Sequence, residues 1–132
     1  MSRDLVDTKA FYSEYHGHKV DHLQKLLPHL RQTSTNLIWT AGDSSLDNKY
    51  WFHTKSNAIN GYESILRPQQ SICDVTYWLN YQANERFNDG TSKSNLAAIN
   101  TAGKNFMRLF RLCIIQKEKS LIPITYRLSL SL

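Results

Sequence analysis

A short apolar run that ends in a tight polar turn constrains this chain more than any other feature. The run is Asn36-Leu-Ile-Trp-Thr-Ala41, which is rich in strand-forming residues, and Gly42-Asp43-Ser44 follows it directly. Gly42 permits a tight turn because it has no Cβ atom to clash, and Asp43 can hydrogen-bond the nearby backbone. The segment therefore predicts a buried strand with a serine at its exit.

Helical spacing of apolar residues predicts helices on both sides of this strand. The first covers 9–30, where Pro28 is expected to end or kink it, and a polar loop follows over 31–35. The second covers 58–66, with Ser56 as a plausible N-cap and Pro68 closing the segment.

A third helix and a second strand complete the prediction. Asp74 is expected to cap a helix that has Val75, Trp78, Leu79 and Gln82 on one face. Residues 84–95 are polar and predict a loop, and the apolar run 96–99 predicts a strand that ends in a turn at 100–103. The order helix, strand, helix, helix, strand indicates an α/β layout with a parallel sheet.

The charge is distributed unevenly along the 132 residues. The net charge is +5, yet 1–102 holds ten Lys/Arg and ten Asp/Glu, whereas 103–132 holds six against one. We therefore expect a domain over 1–102 and a divergent basic tail over 103–132, in which strict alternation from Ile124 to Leu132 suits a half-buried strand. The stretch 104–119 suits either a basic amphipathic helix or, more simply, an apolar segment flanked by solubilising charge.

Several functional classes are not expected for this sequence. No interleaved basic and aromatic motif indicates a nucleic-acid partner, and no leader or membrane-length apolar run is present, so we expect a cytoplasmic protein without an integral membrane segment. Cys73 and Cys113 are expected to be reduced and partly buried. His18 and His22 have a metal-compatible spacing but no third ligand, which favours solvent-facing histidines and no metal or cofactor.

The segment from Leu37 to Asp47 is similar to the first signature block of the GDSL, or SGNH, hydrolase family. That resemblance implies a three-layer, flavodoxin-like α/β fold and cofactor-free acyl transfer from a small-molecule ester. It makes Ser44 the nucleophile and an oxyanion donor through its backbone N–H, and it makes Gly103 a second donor at the end of the next strand. Asp47 matches a further acidic position of the family and is a candidate for the substrate cleft.

The sequence also departs from that family. Ser45 stands where Leu is usual and Lys49 where Gly is common, and the blocks Gly-x-Asn-Asp and Asp-x-x-His are absent. The string Arg86-Phe-Asn-Asp89 has Arg where Gly belongs and precedes the second block, so we interpret it as a loop. We therefore expect the front of a longer hydrolase domain, with little or no activity.

Two further questions stay open at this stage. All five histidines lie before residue 54, so Ser44 has no recognisable base, although His53 is near enough in sequence to be considered. Trp39, Trp51 and Trp78 are most simply core residues, but Tyr50 and Trp51 beside the turn are also candidates for lining a substrate cleft. The rival function is a non-catalytic interaction protein, of unknown partner, that uses the fold fragment and its basic tail.

Overall fold

The computed structural model describes residues 4–43, 45–87 and 96–102, and these form a mixed α/β structure. Its helices and strands follow in chain order: β1 Val6–Asp7, α1 Thr8–Phe11, α2 Val20–Thr33, β2 Asn36–Thr40, β3 Lys55–Asn57, β4 Leu66–Arg67, β5 Gln70–Ile72, α3 Val75–Phe87 and β6 Leu96–Asn100. Two 3₁₀ turns, Lys49–Trp51 and Tyr62–Ser64, lie among them. The predicted features of the tail beyond Ala102 lie outside the described residues.

The strands pair in three small sheets. β2 and β6 are parallel and in register from Asn36 opposite Leu96 to Thr40 opposite Asn100. β1 pairs with β4 in parallel, and β3 pairs with β5 in antiparallel fashion. The parallel β2–β6 pair agrees with the α/β prediction, and both of its strands coincide with the two apolar runs read from the sequence.

The core lies between α2 and the β2–β6 pair. Leu23, Leu26, Leu27 and Leu30 recur at three- and four-residue steps, so they share one face of α2, and all four are buried. Leu37, Trp39, Ala97 and Ile99 alternate along β2 and β6 and belong to the same core. Burial of this apolar stripe against the sheet holds α2 in place.

The single helix expected over 9–30 is instead two helices. The chain leaves α1 at Phe11 and turns at Gly17, whose φ of 72° lies in the left-handed region that favours glycine. Pro28 does not end α2, which continues to Thr33. Pro28 is exposed on the solvent side, and the packing of the buried leucines outweighs the one backbone hydrogen bond that it removes.

The prediction of a helix over 58–66 is also wrong. Ser56 lies in β3, and only the short turn Tyr62–Ser64 is helical before β4 begins. Gly61 has a φ of 103°, and a Cβ atom there would lie 2.9 Å from Leu30 Cδ2 of α2. The apolar residues of this segment therefore serve an irregular loop that packs closely against α2.

Asp74 does cap α3, since its Oδ1 accepts a hydrogen bond from the N–H of Tyr77 at 2.9 Å. Trp78, which was expected to be a core residue, is exposed, and so is Gln82. The helix extends to Phe87 through part of the predicted loop. The inward face carries Asn80, whose amide bonds the N–H and the C=O of Ala98 in β6 at 2.8 and 3.0 Å. α3 thus packs on the sheet through a side-chain amide as well as apolar residues.

In the described part of the chain, we find no helix with the length and apolar character that a membrane crossing requires.

Candidate functional site

The chain segments that follow β2 and β6 leave the parallel pair at the same end. Thr101, just after β6, donates its N–H and its hydroxyl to the C=O of Thr40, at 3.1 and 2.7 Å. Asn100 then closes a turn, because its Oδ1 accepts the N–H of Ala102 at 3.0 Å. The carboxyl ends of parallel strands form the edge where ligands bind in open α/β sheets, so this edge is the candidate site.

The turn over 42–47 is held by Asp43. Its C=O accepts the N–H groups of Leu46 and Asp47 at 3.1 and 3.0 Å, and its carboxylate accepts the N–H and hydroxyl of Ser45 at 3.0 and 2.9 Å. The two hydrogen bonds from Ser45 to the carboxylate lower the pKa of Asp43. At Gly42 a Cβ atom would lie 2.9 Å from Leu46 Cδ1, so a larger residue would displace that leucine.

Ser44 and Gly103, the predicted nucleophile and second oxyanion donor, lie outside the described residues. The described neighbours therefore define the site. They join residues 45–47 to the end of β6, because Asn100 Nδ2 donates to Asp47 Oδ1 at 3.0 Å.

Among the described side chains of the turn, that of Asp47 makes the most hydrogen bonds. Besides the bond from Asn100, its carboxylate accepts a hydrogen bond from the N–H of Gly17 and a 2.6 Å hydrogen bond from Lys49 Nζ. Burial alone would raise the pKa of Asp47, but these donors hold it below its usual range. All of these contacts are with protein groups, so Asp47 ties the turn to the 16–18 segment and to β6.

Lys49 stands where the resembling family commonly has glycine, and it is fully buried in the ion pair with Asp47. Its charge also acts on His18, which the sequence predicted to face solvent and which is buried instead. Desolvation, followed by the charge of Lys49, lowers the pKa of His18 to about 3. Its Nδ1 lies 2.7 Å from the C=O of Phe11, and this contact holds the ring within the fold.

A small cavity borders His18 and Asn100. Its volume of about 10 Å³ suits one water molecule, and its lining includes Tyr12, His18, Asp74 and Asn100. Burial raises the pKa of Asp74 to about 6, although the hydrogen bond from Tyr77 opposes that shift. Among the described residues, no group of three or more His, Cys, Asp and Glu side chains could hold a metal ion.

The three predicted core tryptophans divide between interior and surface. Trp39 is buried in the core, whereas Trp51 and Trp78 are exposed. Trp51 and Tyr50 lie in the 3₁₀ turn just after Asp47, where the sequence placed its candidates for a substrate cleft. His53 is exposed as well.

The sequence did not indicate that His18, Lys49 and Asn100 lie around Asp47. Asn100 carried a usable signal, since a polar side chain directly after an apolar strand often closes a turn. Lys49 and His18 carried no such signal in the sequence. Lysine is almost never fully buried unless it is paired, and the partner of Lys49 is known only from the fold.

No protein-family model matches the chain, and comparisons with curated proteins and with solved structures also gave no match.

Proposed function

We propose that this chain is a relative of the GDSL/SGNH ester hydrolases in which Ser44 is the nucleophile position. The proposal rests first on the sequence block from Leu37 to Asp47, with its strand, its Gly-Asp-Ser turn and its acidic residue three positions on. On this proposal the β2–β6 pair belongs to a three-layer, flavodoxin-like sheet. The parallel register of the two strands is compatible with that arrangement.

One observation carries the proposal furthest: the turns after β2 and β6 are joined through the hydrogen bond between Asn100 and Asp47. A serine ester hydrolase needs its nucleophile beside backbone N–H donors that receive the oxyanion. In the sequence, Ser44 lies between the described residues Asp43 and Ser45, and Gly103 directly follows the described residue Ala102. The hydrogen bond between Asn100 and Asp47 therefore supports the proposal that these two chain segments supply the nucleophile and the oxyanion donors.

The proposed reaction is acyl transfer. Ser44 Oγ attacks the ester carbonyl carbon, the alcohol leaves with a proton, and water then cleaves the acyl-serine to release a carboxylic acid and the free hydroxyl. Because the sequence lacks Asp-x-x-His, and because burial disfavours protonation of His18 and so makes it a poor general base, we propose a slow enzyme. A serine without its triad partners keeps only the modest rate enhancement of binding and oxyanion donors.

A fluorophosphonate probe tests the proposal, because it reacts with activated serine hydroxyls. We expect peptide mass spectrometry to find the label on Ser44 in the full chain, and we expect Ser44→Ala to remove it. Ser45→Ala is the matched control, since Ser45 is the exposed neighbour in the same turn and should leave labelling unchanged. Absence of label on Ser44, or equal labelling of both serines, would instead favour a non-catalytic interaction protein.

A further inference from the structure

Three exposed aromatic rings from two distant chain segments meet beside the 42–47 turn. Tyr15 is 48% exposed, Tyr50 is 51% exposed and Trp51 is 61% exposed. The ring centroids of Tyr15 lie 4.8 Å from those of Tyr50 and 6.2 Å from those of Trp51, and Tyr50 and Trp51 are 5.4 Å apart. The interplanar angles are 75–85°, so the rings form an aromatic corner rather than a flat stack.

The buried ion pair between Asp47 and Lys49 supports the two chain segments that form the aromatic corner. Gly17 is two residues after Tyr15, and Lys49 directly precedes Tyr50. Both donate to the carboxylate of Asp47, which joins the two segments below the surface while the rings join them above. The rings are therefore held in position before any ligand arrives, which reduces the entropy lost on binding.

The location and chemistry of the corner indicate what it contacts. Contiguous exposed aromatic rings commonly mark a binding site, and Trp and Tyr carry much of the energy where apolar groups bind. The three rings are themselves uncharged, and Tyr50 and Trp51 follow soon after Ser44 in the sequence. The described residues link Asp43 to Asp47 and Asp47 to Lys49, which directly precedes Tyr50. On the proposed function, an apolar group of an ester bound beside Asp43 would therefore be directed toward these rings.

We propose that the aromatic corner binds the apolar group of a neutral ester, which makes the substrate class an ester with an alkyl or aryl group rather than a simple acetyl ester of a charged alcohol. This inference rests on the proposed function for the position of the carbonyl. Each methylene that the rings remove from water increases affinity by about fourfold.

Ligand-detected NMR on the full-length Ser44→Ala chain tests the inference without hydrolysis. One series lengthens the acyl side from ethyl acetate to ethyl butanoate and ethyl hexanoate, and a second lengthens the alcohol side from ethyl acetate to butyl and hexyl acetate. We expect affinity to rise by about fourfold per methylene in one series. Adding Trp51→Ala or Tyr50→Ala should flatten that rise.

Trp78→Ala is the matched control. Trp78 is 51% exposed and packs edge-to-face with Tyr81 at 5.5 Å, but it lies on α3. Trp78→Ala should leave the chain-length dependence unchanged, and Trp51→Phe should retain most of it. Affinity that does not depend on chain length, or an equal loss in the Trp51→Ala and Trp78→Ala proteins, would overturn the inference.

The two proposals fail in different ways. Chain-length dependence that needs Trp51, in a protein whose Ser44 does not react with fluorophosphonate, would support the binding site and reject the hydrolase. A labelled Ser44 with no dependence on Trp51 or Tyr50 would support the hydrolase and reject the apolar site.

Discussion

Asp47 and Asp74 are both buried carboxyl groups, with exposed fractions of 5% and 3%, yet the fold shifts their pKa values in opposite directions. The pKa of Asp47 is lowered, whereas that of Asp74 is raised to about 6. Asp47 accepts hydrogen bonds from Gly17, Asn100 and the charged Lys49. Among the described contacts of Asp74, the N–H of Tyr77 is the hydrogen-bond donor to its carboxylate.

Burial alone therefore does not decide whether an acid in this protein is charged. Desolvation raises the pKa of both groups, and several donors that include a cation reverse the effect only at Asp47. The region around Asp47 is therefore stabilised by a buried charge pair, while the region around Asp74 is most stable when the acid is neutral.

The largest expected effect is the loss of the Asp47 carboxylate. We expect Asp47→Ala to lower the free energy of unfolding by about 3–5 kcal/mol, because it leaves the fully buried Lys49 without its anion. Urea denaturation at pH 7 measures this. Asp43→Ala is the control, since it removes an exposed carboxylate from the same turn. Similar losses in the two variants would contradict a special role for the buried pair.

The second prediction concerns Asp74 and pH. Because its pKa rises from 3.8 in the unfolded chain to about 6 in the fold, the folded state binds more protons between these values. This shift adds about 3 kcal/mol to the free energy of unfolding below pH 3.8. That contribution is lost as the pH rises through 6. Asp74→Asn keeps the capping oxygen and stays neutral.

We therefore expect Asp74→Asn to be more stable than the unmodified protein at pH 7.5, by up to about 3 kcal/mol, with the advantage disappearing near pH 4. Urea denaturation across pH 4–8 gives the difference between the two proteins. Asp43→Asn should show no such gain. A constant difference between the Asp74→Asn and unmodified proteins at every pH would show that Asp74 does not titrate differently on folding.

The sequence predicted the structural features that depend on residues close together in the chain. The two apolar runs gave β2 and β6, and Asp74 was recognised as a helix cap because the capped N–H lies only three residues away. β3 escaped prediction because Lys55-Ser-Asn57 contains no apolar residue and owes its extended form to pairing with β5.

The candidate site was predictable only in part, for a physical reason. The turn over 42–47 follows from its own residues, but Asp47 bonds Gly17 thirty positions upstream and Asn100 fifty-three positions downstream. No local pattern indicates such contacts. The exposed position of Trp51 and the buried position of His18 follow from the same long-range arrangement, and both contradict the sequence predictions.

The third prediction concerns Asn80, an uncharged side chain of α3 that bonds the backbone of β6. Asn80 bonds both backbone groups of Ala98, so Asn80→Ala leaves them without that partner and should cost about 2 kcal/mol. Hydrogen exchange provides a specific measurement, since the amide of Ala98 should lose protection first. Asn84→Ala, one turn further along α3, is the control. Unchanged protection of Ala98 in Asn80→Ala would contradict the role of the amide.

The smallest expected effect separates backbone strain from hydrogen bonding at Gly17. Its φ of 72° disfavours a side chain, so Gly17→Ala should cost about 1 kcal/mol, whereas Gly17→Asn should cost less because asparagine tolerates the left-handed region better. Both variants retain the N–H that donates to Asp47. Thermal unfolding ranks them against the unmodified protein.

Combining each Gly17 variant with Asp47→Ala completes the comparison. If strain alone causes the loss, the cost of Gly17→Ala is the same with and without the carboxylate, because additivity holds where two changes share no interaction. If the substitution moves the N–H away from Asp47, the cost falls once the carboxylate is gone. The second result would mean that the conformation of residue 17 determines how well the fold keeps Asp47 charged, the property in which it differs from Asp74.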